Sequence, residues 1–172
     1  ASISHIKNGI YGEMWASAMI ACAFSTNSME DIIRSGLAQI PYTSRLYERV
    51  SAVLDWYKSG MSSEECFNKI YEEWNHHNTF DWCHTISNAM IVATCLLYGE
   101  GDYSKSICMA VQAGFDTDCN GATVGSILGI TNGIDGIDKK WIEPFNDTLQ
   151  TTLFGYDMVK ISEMAKKTLE HI

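Results

Sequence analysis

Residues 105–130 read KSICMAVQAGFDTDCNGATVGSILGI, two apolar, small-residue segments joined by a turn in which Asp116 and Asp118 stand one residue apart. The first segment, Lys105 to Ala113, carries Ile107, Met109, Ala110 and Val111, and the second runs from Ala122 to Ile130. Both are helical in pattern and neither alternates as a strand does. An acidic pair wedged between two such helices is poorly explained as surface decoration. It marks a candidate site.

The spacing limits how that site can be built. Residues two apart on a helix point roughly 200° away from each other, so Asp116 and Asp118 cannot face one ligand from within a single turn. They converge if Asp116 lies in the loop and Asp118 in or just before the first turn, with Gly114 as the C′ residue of the preceding helix. The pair then sits at the positive end of a helix dipole. Such a pair suits a hard divalent cation, since Mg²⁺ is usually held by one or two carboxylates and several waters. The plainer alternative is an N-cap beside a solvated acid.

Helical spacing extends in both directions. Gly9 to Phe24 is apolar, with small residues at Ala16, Ala18, Ala21 and Ala23 that suit close packing. Ser28 to Ile40 opens on an Asn27/Glu30 capping pattern and stops at Pro41. Ser44 to Lys58 places Leu46, Val50, Val53, Leu54 and Tyr57 on one face, and a Ser62/Glu65 box opens a helix to about Trp74. His84 to Tyr98 is apolar most of the way round, which predicts a central buried helix. Asp102 caps the helix leading to Gly114, and Asp157 to His171 puts Ile161, Met164, Ala165 and Leu169 on one face. No strand-like alternation competes, so the expected fold class is all-α.

Composition excludes several function classes. The chain has 172 residues, 46% of them apolar, enough for one core. With 21 acidic and 12 basic residues the net charge is −9, which disfavours a nucleic-acid backbone as partner. No apolar run approaches the roughly 20 residues needed to span a bilayer, and no signal-peptide pattern appears. Six cysteines occur, at 22, 66, 83, 95, 108 and 119. Cys22, Cys95 and Cys108 fall in apolar helical runs, where a free thiol behaves as a small hydrophobe, and no C-x-x-C pair appears. A reduced, cytoplasmic protein is expected.

His76, His77, Cys83 and His84 offer zinc-compatible ligand types in a short window. Adjacent histidines converge poorly on one tetrahedral ion. A connecting loop packed under Trp74, Phe80 and Trp82 is the expectation. Glu13, an acid among apolar neighbours, is expected on a solvated helix face, with a supporting role near a ligand as its alternative.

The run AGFDTDCNGATVGSILG resembles the C-terminal signature of the ADP-ribosylglycohydrolase family, usually Gly, Gly, Asp, Thr, Asp, Thr, Asn, Ala followed by a small-residue helix. Ser4, His5 and NGIYGEMWASAMIACAF resemble the family's mid-domain helix, and GIDGIDKKWIEPFNDTL, Gly133 to Leu149, resembles the segment after the signature. The resemblance implies an orthogonal multi-helix bundle and hydrolysis of the glycosidic bond between ADP-ribose and an acceptor, a modified protein or a small conjugate. It further implies a two-Mg²⁺ centre with Asp116 and Asp118 as ligands. Cys119 occupies the position of the family's metal-binding threonine, and a thiol is a poor ligand for Mg²⁺.

The resemblance also implies a substrate contact: Ser4 and His5 match a pair near the bound ADP-ribose. Phe115, Tyr11 and Trp141 are candidates to stack on an adenine, with a place in the core as the plainer reading. Gly121 allows close approach of a ligand, or simply tight helix packing. The family's N-terminal half, with its own Thr, Asp, Asp metal motif and a further acid near the scissile bond, has no counterpart here. Residues 1–172 are therefore expected to form the C-terminal part of one domain, inactive alone and prone to self-association through uncovered apolar surface. A non-catalytic ADP-ribose or nucleotide-binding module is the rival reading.

Overall fold

The computed structural model describes residues 1–171 and is predominantly helical. It divides into two compact units, Ala1–Ile134 and Asp135–Ile172. The first contains helices α1 (Asn8–Ala23), α2 (Met29–Leu37), α3 (Arg45–Lys58), α4 (Ser63–Glu73), α5 (Thr85–Tyr98), α6 (Tyr103–Gln112) and α7 (Thr117–Asn132).

The starts of these helices follow local chemistry. Ser28, Ser44 and Asp102 cap α2, α3 and α6 with side-chain oxygens that accept the N–H three residues on. Ser62 and Glu65 form a full capping box at α4. The cap of α2 is thus Ser28 and not Asn27, and α2 ends at Leu37, short of Pro41. Glu30 in its first turn pairs with Arg34 and with Lys58 of α3, both at 2.8 Å.

Helix α5 is the axis of the first unit and packs against each of its other six helices. Eleven of its fourteen residues are buried. Complete burial of Ile86, Met90, Ile91 and Leu96 contributes about 1.5–3 kcal/mol apiece. The polar groups inside are satisfied: Ser87 donates to the carbonyls of Asp81 and His84, and Thr94 to that of Met90. The core continues through Trp15 and Met19 of α1, Leu46 and Val50 of α3, and Val124 and Leu128 of α7.

The second unit is smaller, and none of its described residues is fully buried. It holds a short helix α8 (Lys139–Ile142), an antiparallel hairpin of β1 (Thr148–Gln150) and β2 (Met158–Lys160), and helix α9 (Ile161–Leu169). Leu149 pairs with Val159 in the hairpin register. Asp147 fastens it to α9, accepting from the Ser162 backbone N–H and hydroxyl at 2.8 and 2.6 Å. The expected tail helix exists but starts at Ile161, because the residues before it pair as a strand. No described helix is long and apolar enough to cross a membrane.

Candidate metal-binding turn

The chain leaves α6 at Ala113 and reverses through two consecutive left-handed residues, Gly114 at φ 74° and Phe115 at φ 63°. For glycine this conformation is free; for phenylalanine it is strained and must be held from outside. Two aromatic contacts and one hydrogen bond hold it. Phe115 is buried, stacked on Tyr71 of α4 with ring centroids 6.1 Å apart and tilted against His76 at 5.5 Å. The Tyr71 hydroxyl donates to the Ala113 carbonyl at 3.1 Å.

Asp116 follows in a non-helical conformation and Asp118 lies in the first turn of α7. One residue outside the helix and one inside is the geometry that lets two carboxylates so spaced converge. Ligand atoms of Asp116, Asp118 and Cys119 all lie within 4.8 Å of one another. Asp116 is half-buried; Asp118 and Cys119 are exposed. No Lys, Arg or His among the described residues forms an ion pair with either aspartate. Interaction with the Asp116 carboxylate first, then a little burial and the two carboxylate charges, push the pKa of the Cys119 thiol up.

Asn88 of α5 secures this turn from across the core. Its Oδ1 accepts the Asp116 backbone N–H at 3.1 Å and the Asn120 Nδ2 at 2.7 Å. Its own Nδ2 donates to the carbonyls of Trp82 and His84, both at 3.0 Å. Asn120 is itself buried. Beside the turn, α1, α5 and α7 enclose an open cleft of about 200 Å³, with an apolar wall of Trp15, Ala16, Ala89 and Val92 and a polar edge that includes Asp116, Cys119 and Asn120.

The donor set can be tested against a cation. Two carboxylates at the start of a helix, free of competing bases, fit a hard divalent ion that keeps several waters. The thiol does not fit such an ion and suits a softer one. The three ligand atoms lie close enough together to share one ion.

Other expected site residues lie elsewhere. Ser4 and His5 occupy an exposed N-terminal turn, with the Ser4 hydroxyl 2.7 Å from His5 Nδ1. Neither lines the cleft. Phe115 is taken up in the aromatic stack and presents no face to the cleft. Gly121 faces α6, where an added Cβ would meet Val111 Cγ2 at 3.6 Å. Tyr11 packs partly buried on the core, and Trp141 lies in the second unit. Glu13 is exposed.

The histidine-rich loop does not gather ligands. His76 packs on Tyr71 and Phe115, while His84 Nδ1 accepts the Ile86 N–H and its ring lies 4.8 Å from that of Trp74. Phe80 and Trp82 are exposed and do not cover that loop. All six cysteines are free thiols, and Cys108 is on the surface, not in the core. Asn88 escaped the sequence reading; its only signal there was one amide in a largely apolar helix.

Comparison with known families finds a match to the ADP-ribosylglycohydrolase family model over residues 1–171. Comparisons with curated proteins and with solved structures return no match.

Proposed function

The chain belongs to the ADP-ribosylglycohydrolase family, and on that premise we propose that it supplies part of a Mg²⁺-dependent centre that hydrolyses the bond between C1″ of ADP-ribose and a modified acceptor. The convergence of Asp116, Asp118 and Cys119 within 4.8 Å, with Asp116 and Cys119 on the edge of a cleft, carries this reading. The acceptor belongs to an ADP-ribosylated protein or a small ADP-ribose conjugate.

Asp116 and Asp118 hold cation in this scheme and are not the proton-transfer groups. When bound, the divalent ions would orient the ribose hydroxyls and a water and stabilise charge as an oxocarbenium-like centre develops. The Asp116 carboxylate is suited to this role because it makes no cap bond to its own helix. Asn88, itself held by Asn120, fixes the Asp116 backbone through its N–H, and the wall of Trp15, Ala89 and Val92 keeps bulk water off one side of the cleft. The free thiols favour a reducing, cytoplasmic setting.

The test is substitution of either acid in the full-length protein. Asp116→Asn and Asp118→Asn each sharply lower Mg²⁺-dependent release of ADP-ribose; unchanged turnover in both overturns the assignment. A second reading, a module that binds ADP-ribose without cleaving it, is favoured by one observation, the thiol of Cys119 among the ligand atoms. Calorimetric binding of ADP-ribose with no turnover at saturating Mg²⁺ would establish it.

A further inference from the structure

We propose that Asn88 is the positioning residue of the metal-binding turn, setting cation affinity by keeping the Asp116 carboxylate out of its own helix; the inference rests on the reading of Asp116 and Asp118 as ligands. Four hydrogen bonds saturate the Asn88 amide, two accepted by Oδ1 from Asp116 N–H and Asn120 Nδ2 and two donated by Nδ2 to the Trp82 and His84 carbonyls. Backbone N–H groups only donate and carbonyls only accept, so three of these partners fix which way the amide points. The side chain is locked at both ends, to the entrance of α5 and to a turn 28 residues further along the chain.

The start of α7 shows what that lock accomplishes. Helices α2, α3, α4 and α6 each begin with a Ser or Asp whose side chain accepts an N–H three residues on. Asp116 stands at the same position of α7, and aspartate is among the best residues for the task, yet its side chain makes no cap bond. Its backbone is instead held by Asn88. The α7 entrance is thereby secured without consuming a carboxylate oxygen, and the carboxylate remains beside Asp118 and Cys119.

Removing Asn88 lets Asp116 relax into an ordinary cap on the N–H groups of Asp118 or Cys119. Capping and cation binding then compete for one carboxylate. Cation affinity falls while helix stability is partly made good by the new cap. A merely structural asparagine would behave in the opposite way, lowering the melting midpoint and leaving affinity alone.

The experiment measures Mn²⁺ affinity by the electron paramagnetic resonance signal of the free ion, with thermal melts recorded in the absence of metal. Asn88→Ala is expected to weaken Mn²⁺ binding about 10- to 100-fold, the range for outer partners of metal ligands. Wild type and Asp118→Asn are run alongside. Failure of wild type to bind Mn²⁺, or no loss in Asp118→Asn, overturns the ligand reading and this inference with it. A loss in Asp118→Asn with none in Asn88→Ala overturns the role of Asn88 alone. Should Asn88→Ala not fold, Asn120→Ala decides, since it removes one of the two bonds that fix Asn88 Oδ1: a several-fold loss supports the role, and unchanged affinity overturns it.

Discussion

The ring of Phe115 lies nearly parallel to that of Tyr71, 8° between their planes, and the same tyrosine donates from its hydroxyl to the carbonyl of Ala113. One side chain of α4 thus grips the turn on both sides of Gly114, and burial pushes its own pKa up. The grip opposes a left-handed Phe115 backbone that costs about 1–2 kcal/mol.

Substitutions at Phe115 therefore rank in an unusual order. Phe115→Ala loses about 3–5 kcal/mol of packing and keeps the strained backbone. Phe115→Gly loses the same ring and relieves the strain, so it is expected to be the more stable of the two by about 1 kcal/mol, and both less stable than wild type. Urea titrations of the three proteins check the order; an alanine variant as stable as the glycine variant refutes it.

Gly12 of α1 faces Thr85 at the start of α5, and a Cβ there would come within 2.3 Å of Thr85 Cγ2. Both residues line the cleft. Gly12→Ala must separate the two helices or turn Thr85, at a cost of about 1–3 kcal/mol. A melting midpoint equal to wild type would show that Thr85 moves without penalty.

Cys119→Thr replaces a soft sulfur with a hard hydroxyl oxygen next to the two carboxylates. Mg²⁺ affinity, read by calorimetry, is expected to rise. An affinity unchanged by the substitution would show that the side chain at this position does not reach the ion.

His84 gives stability a defined pH dependence. Burial first and the charge of Arg45 second lower its pKa below the ordinary 6.5, with Asp81 opposing them in part. The folded protein keeps the ring neutral, with Nδ1 accepting the Ile86 N–H, while the unfolded chain takes up a proton near 6.5. The unfolded state thus binds more protons below that value, and stability rises with pH. The contribution is complete above 6.5 and is lost as the pH falls through the folded-state value. His84→Asn, which caps without titrating, should flatten this part of the curve in denaturant titrations; the same slope in both proteins would assign it to another group.

Much of the fold was legible because it is written locally. The apolar circumference of α5 and the Ser62/Glu65 and Asp102 starts each need only a dozen neighbouring residues to read. The hairpin was not legible, because strands of three residues with mostly exposed side chains carry too little alternation. Within the site, the spacing of Asp116 and Asp118 led to the loop-and-first-turn geometry. The packing of Phe115 was not legible because sequence does not reveal a backbone φ or a stacking partner 44 residues earlier, at Tyr71. The role of Asn88 depends on a contact across 28 residues, which periodicity cannot see.

The burial of α5 has a consequence in time as well as in space. Between Ala89 and Leu97 the helix has no exposed face, so its amide hydrogens reach water only when the surrounding helices come apart together. The turn that carries Asp116 is hydrogen-bonded to the first turns of this helix. The backbone of Asp116 is in this way moored to the entrance of the most deeply buried helix, and the spacing of the two carboxylates should persist through local fluctuations that loosen the chain ends.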